Sequence, residues 1–238
     1  DLAVSDDTLI VSLNDDEIGA KDDGTFTALQ KKINNAQAGS TITLENDYYR
    51  EESDPSKITI NKALTINGNG HTIDVDGNYY QQSKIFYVTS SGVVLNNINF
   101  ANAYAIGHYS EAGSYNGGAI CSERNLVLNN CKFTNCYIRD GYGAAIYSTA
   151  DVTINSCTFT KNNGNSNSGY AASSVISAKN VFAKDCSFYD NDYAIPIYSD
   201  NDLTVENSVF RNNTCGVTWW GKVIEKKSNF INNDAQPN

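Results

Sequence analysis

VTINSCTF, Val152 to Phe159, decides the fold. Val152 and Ile154 share one parity, whereas Cys157 and Phe159 share the other. A straight strand would send the two pairs to opposite faces, so Asn155 and Ser156 must turn the chain if both are to enter one interior. The same strand-bend-strand unit recurs as VVLNNINF (93 to 100), LVLNNCKF (126 to 133), VFAKDCSF (181 to 188), LTVENSVF (203 to 210) and VIEKKSNF (223 to 230). ALTINGNGHTI (63 to 73) is an earlier, more divergent copy. Phe100, Phe133, Phe159, Phe188, Phe210 and Phe230 are thereby equivalent, at intervals of 20 to 33 residues.

A second short strand precedes most copies: IFYV (85 to 88), GGAICS (117 to 122), GAAIYS (143 to 148), SSVISA (173 to 178), AIPIYS (194 to 199) and GVTWW (216 to 220). Three short strands per repeat at this period describe an all-β, right-handed parallel β-helix, a pectate-lyase-like solenoid. About seven coils fit between residues 57 and 230, a stack of roughly 30 to 35 Å at ~4.8 Å per coil. An antiparallel sandwich would show regular hairpin turns but no such repeating unit. Low proline and abundant Thr, Ile, Val, Tyr, Asn and Gly agree with short strands joined by tight bends.

TFTALQKKINNAQAGS (25 to 40) has the other period. Phe26, Leu29, Ile33 and Ala36 fall on one helical stripe with Gly39 beyond its end, which predicts a short helix capping the open first coil. The chain then divides into an acidic lead-in (1–24), the cap helix with a first strand (25–56) and the β-helix (57–238). The start DLAVSDDTLI has no signal-peptide pattern, methionine is absent, and SNFINNDAQPN stops after a coil without a cap. These features give the expectation of an excised piece of a longer protein.

The net charge of -10 excludes nucleic acid or an anionic membrane as the main partner, since both would repel the chain. No window reaches the ~18 apolar residues of a membrane span. Six cysteines without CxxC spacing fit neither a disulfide scaffold nor a zinc site. Stacking instead sets Cys131, Cys157 and Cys186 in one inward column, preceded by Ile98 and continued by Ser208 and Ser228, where they read as free thiols beside the phenylalanines. No His or acid shares that column, so no metal is expected there. The pairs at the bend, from Asn96 and Asn97 to Glu206 and Asn207, form a second column suited to the left-handed conformation and to amide stacking.

GGAI (117 to 120), with F-x-x-N in FTKN, FYDN, FRNN and FINN, resembles the repeat motifs of chlamydial polymorphic membrane proteins. The combination of FTALQKKINNAQAGSTITLENDY, ITINKALTINGNGHTID and the later repeats is more similar to the adhesin-like surface proteins of methanogenic archaea. The resemblance covers about residues 25 to 233 and implies a secreted or surface-anchored β-helix used for adhesion. It brings no catalytic motif. At Phe133 and Phe100 the motif is broken by Cys136 and Ala103, so a local departure of the turn is expected in those two coils.

If Ile120, Ile146, Ile176 and Ile197 point inward, then Cys121, Tyr147, Ser177, Tyr198 and Trp220 point outward, an aromatic row fit to stack on sugar rings. The stretches 101 to 116, 136 to 143 and 162 to 173 read as loops leaving one side of the solenoid, carrying Tyr104, His108, Tyr109, Glu111, Tyr115, Tyr137, Arg139, Asp140, Tyr142 and Tyr170. Together these residues form the candidate ligand site. The expectation is a monomeric, extracellular, cell-surface binding module for a glycan or a surface protein of another cell, with no catalytic residue, metal or cofactor. A polysaccharide lyase or hydrolase would need acids that the outward row lacks, and a stalk without ligand is the third alternative.

Overall fold

Alternating apolar residues in segments of two to six residues give strands too short to pair within a coil, so each pairs with its copy one coil away. The computed structural model describes residues 22–75, 84–106, 116–165, 173–214, 218–219 and 222–234. It is a parallel β-helix in which each strand pairing is parallel and in register.

The first sheet contains Ile58–Ile60, Phe86–Val88, Ile120–Ser122, Ile146–Ser148, Ser173–Ala178, Ala194–Ser199 and Thr218–Trp219. The second runs from Thr41–Thr43 and Thr65–Asn67 through Leu126–Asn129 and Val152–Asn155 to Val223–Lys226, eight strands in all. The third, also of eight, runs from Tyr48–Tyr49 and Thr72–Asp74 through Lys132–Thr134 and Thr158–Thr160 to Asn229–Ile231. Stacking therefore begins with residues 41–49, one coil before the segment at 57 from which seven coils were counted.

The phenylalanine column occupies consecutive rungs, Phe100, Phe133, Phe159, Phe188, Phe210 and Phe230. Successive rings stack with centroids 4.7 to 4.9 Å apart. Strand spacing thus sets ring spacing, and each buried ring adds about 1.5 to 3 kcal/mol by burial and roughly 0.5 to 1.5 kcal/mol by pairing.

Two corners per coil carry positive φ. At the first they are Asn97, Asn130, Ser156, Asp185, Asn207 and Lys227, and at the second Asn102, Asn135, Lys161, Asp190, Asn212 and Asn232. Amides stack along the first, with Asn155 donating to Asn129 at 2.9 Å and Asn129 to Asn96 at 2.8 Å. The coils of Phe100 and Phe133 keep the second corner unchanged, contrary to the expected departure. The turn is made by the second residue after the phenylalanine, which is Asn in both coils, while the variable third residue is a buried one.

That third position holds a buried asparagine ladder. The side-chain amides of Asn162, Asn191, Asn213 and Asn233 donate to the carbonyls of Phe133, Phe159, Phe188 and Phe210, one coil earlier, at 2.9 to 3.1 Å. Their Oδ1 atoms accept the backbone N–H of the preceding rung, from Cys136 through Asn213, at 3.0 to 3.2 Å. Each polar group taken from water is repaid by a bond to its neighbour.

At the other inward column Cys131, Cys157 and Cys186 are buried free thiols, as is Cys136 at its corner. Cys157, set between the other two thiols and donating to the Leu128 and Asn155 carbonyls, is the hardest of the three to ionise. Ser208 continues the column by accepting the Cys186 N–H at 3.0 Å.

The helix Phe26–Asn35 closes the first coil, burying Phe26, Leu29 and Ile33 in the same core. Thr25 caps it by accepting the Ala28 N–H at 3.1 Å. Asp54 accepts the N–H groups of Phe26 at 3.2 Å and Thr27 at 2.9 Å, so a carboxylate sits at the positive end of the helix.

The segments read as loops are partly regular. Tyr104–Ile106, Tyr137–Arg139 and Asn163–Asn165 form a fourth, three-stranded parallel sheet beside the third. Its inward residues Ala105 and Ile138 pack with Ala144 as a small separate core. The alternation was hidden because YAI, YIR and NGN share no residue type at their inward position beyond small or apolar character.

Candidate functional site

The outer face of the first sheet gathers the largest set of polar aromatic side chains among the described residues. Its register places Thr59, Tyr87, Cys121, Tyr147, Ser177 and Tyr198 on consecutive rungs. Ile120, Ile146, Ile176 and Ile197 face inward and are fully buried, as the alternation predicts. Tyrosine occupies every second rung from Tyr87, so the rings recur about 9.5 Å apart, twice the strand spacing.

Cys121 and Ser177 were expected to be displayed outward, yet they are 0% and 4% exposed. Each is a short side chain between two tyrosines, and the taller rings shield it. The row carries half-buried tyrosines rather than a continuous exposed aromatic strip. Tyr87 belongs to it and escaped the sequence reading, although its parity in IFYV is that of Tyr147 in GAAIYS. Conversely, the rung partner of Tyr198 is Thr218, two residues before Trp220. Trp220 lies outside the described residues.

Tyr142 joins this face from a segment read as loop. Its ring stacks on Tyr198 with centroids 6.0 Å apart, crossing the rung that holds the short Ser177. Its backbone N–H donates to Asn116 Oδ1 at 3.0 Å, which ties it to the coil before. Burial raises the Tyr147 phenol above its ordinary pKa, partly opposed by a hydrogen bond with Asn116. At the far end Tyr87 donates to Glu123, and Lys57 holds its ammonium 4.3 Å from the Tyr87 ring centroid. The hydrogen bond to Glu123 raises the Tyr87 pKa to about 12, so the hydroxyl stays protonated.

The remaining candidates separate. Tyr104 and Tyr137 stack on the fourth sheet, with centroids 5.1 Å apart and planes within 1°. Tyr104 is only 5% exposed, so it serves packing rather than display. Arg139 ends a fourth-sheet strand, with Nε 4.0 Å from Asp140 Oδ2, and Asp140 takes a positive φ. His108, Tyr109, Glu111, Tyr115 and Tyr170 lie outside the described residues. Among the described residues no group of three His, Cys, Asp or Glu side chains is placed to hold a metal ion.

Sequence reasoning missed Lys57, Lys84, Asn116 and Glu123 as neighbours of the tyrosines. Each lies just outside a first-sheet strand, where neither alternation nor motif marks it, and only the stacking of coils brings them together.

No curated protein matches the chain. The family model described as adenovirus EB1 55K protein / large t-antigen matches residues 49–238, from the Tyr48–Tyr49 strand through every later coil. The chain belongs to that adenovirus EB1 55K protein / large t-antigen family.

Proposed function

We propose that the chain is an adhesin-like binding module that recognises a glycan on a cell surface through the tyrosine face of its first sheet. The observation that supports this reading most is the placement of Tyr87, Tyr147 and Tyr198 on alternate rungs of one rigid sheet, with Tyr142 stacked on the last. Rings fixed at a regular spacing offer their faces to successive sugars without losing side-chain freedom on binding. The resemblance to archaeal and chlamydial surface repeats adds the extracellular setting, whereas the family match names neither adhesion nor a ligand.

The test is a glycan array probed with the parent chain and with Tyr147→Ala combined with Tyr198→Ala. Loss of about tenfold in signal on a defined set of glycans is expected, from about 0.5 to 1.5 kcal/mol per aromatic contact. An unchanged array would sink the reading and leave the regular ladders as those of a stalk.

A further inference from the structure

The tyrosine face is positively charged at one end, although the chain as a whole carries -10. Lys57 precedes the strand Ile58–Ile60 and lies over the Tyr87 ring. Lys84 precedes Phe86–Val88 and is 7% exposed. Its ammonium donates to the carbonyls of Asn116 and of Gly117, the latter at 3.2 Å. Among the described residues no carboxylate lies within 4.0 Å of either ammonium.

Carbonyls accept from Lys84 without cancelling its charge. Burial lowers its pKa to about 8, and the neighbouring Lys57 contributes to that lowering. Cys121 is pushed up to about 11 by burial, so at neutral pH it offers no thiolate as a counter-ion. Glu123 accepts from the Tyr87 hydroxyl and keeps its negative charge, so two ammonium groups stand against one carboxylate at this end of the face. A desolvated cation with no acid partner among the described residues is costly, and a bound anion would relieve that cost. The field acts at short range, because salt screens the distant acids beyond about 8 Å while Lys57 stands over the Tyr87 ring and Lys84 interacts electrostatically with Cys121 on the same face.

From this arrangement we infer that the face takes an anionic polysaccharide, with a carboxylate or sulfate seated beside Lys57 and Tyr87 and sugar rings extending over Tyr147 and Tyr198. Lys57 contacts the anion, and Lys84 holds positive potential beneath it. The inference rests on the proposed glycan-binding role and adds the chemical class of the ligand.

The experiment is calorimetric titration of the full chain with polygalacturonate, its fully methyl-esterified form, dextran sulfate and dextran, at low and at physiological salt. The expected result is binding of a charged polymer at least tenfold tighter than its neutral counterpart, weakened by salt. Whether polygalacturonate or dextran sulfate binds assigns the anion as carboxylate or sulfate. Lys57→Gln should weaken that binding about fivefold and flatten its salt dependence. Lys84→Met, which keeps the buried stem, should do likewise provided its melting temperature shows a folded chain. Equal binding of charged and neutral polymers would overturn the anion inference and leave the glycan-binding role standing. Charged-polymer binding that ignores Lys57→Gln would also overturn it, as would failure of all four polymers to bind, in which case the glycan array alone decides the glycan-binding role.

Discussion

Asn191 joins three coils with one side chain: its amide donates to the Phe159 carbonyl at 3.0 Å, and its Oδ1 accepts the Asn162 N–H at 3.0 Å. The same amide also reaches Asn213 Oδ1 at 2.8 Å, so the ladder is continuous across rungs. Because Asn191 is fully buried, water cannot replace any of these partners. Asn191→Ala should cost about 2 to 4 kcal/mol, the loss of several buried hydrogen bonds with their partners left unmet. Asn233→Ala, on the last rung and partly open to water, should cost about 1 kcal/mol. Urea unfolding followed by circular dichroism compares the two; equal losses would contradict a ladder whose strength comes from burial.

The phenylalanine stack predicts a second gradient. Phe159 is fully buried between Phe133 and Phe188, whereas Phe230 is 53% exposed and, among the described residues, stacked on Phe210 alone. Phe159→Ala should cost about 3 to 5 kcal/mol, and Phe230→Ala no more than about 1 kcal/mol. Thermal melts of both variants check the ratio, and a Phe230→Ala loss as large as that of Phe159→Ala would refute it.

Buried thiols set the alkaline limit of stability. Burial pushes Cys136 up to about 12, while an unfolded thiol ionises near 9.0. The folded state therefore keeps a proton that the unfolded state releases, so this contribution is complete below pH 9 and is lost as pH rises from 9 toward 12. At pH 10 the loss is about 1.4 kcal/mol for this group. The stability difference between the parent chain and Cys136→Ala should shrink by that amount between pH 7.5 and pH 10 in urea titrations. A difference independent of pH would show that Cys136 ionises in the fold as readily as in the unfolded chain.

Asp54 governs the acid side at the cap. Burial raises its pKa, but bonds from the Thr27 hydroxyl and the N–H groups of Glu51, Thr27 and Phe26 outweigh this and hold it below the ordinary 3.8. Its contribution is present above pH 3.8 and is lost as pH falls through the lower folded value. Asp54→Ala should cost about 2 to 3 kcal/mol at pH 7, since it removes a charged acceptor at a helix N-terminus. Guanidinium unfolding at pH 7 and pH 3 should show the penalty shrinking in acid; a constant penalty would assign Asp54 a packing role alone.

The sequence by itself determined the coil. The parity switch at Asn155 and Ser156, repeated in six units, implied parallel stacking, and stacking fixed the phenylalanine column, the thiol column and the bend asparagines. These follow from local alternation and one translation, so they needed no knowledge of distant contacts. Only the tertiary structure decided what the outer residues do. The F-x-x-N asparagines read as corner residues, yet the corner belongs to the residue before them, and Asn162, Asn191 and Asn213 are buried because their amides match carbonyls a coil away. Cys121 and Ser177 have outward parity, yet neighbouring tyrosines on adjacent rungs shield them. Lys57, Lys84 and Tyr142 meet the tyrosine face from different coils, and their convergence depends on register and side-chain height. Parity specifies which way a side chain points; whether water reaches it depends on what the next rung carries.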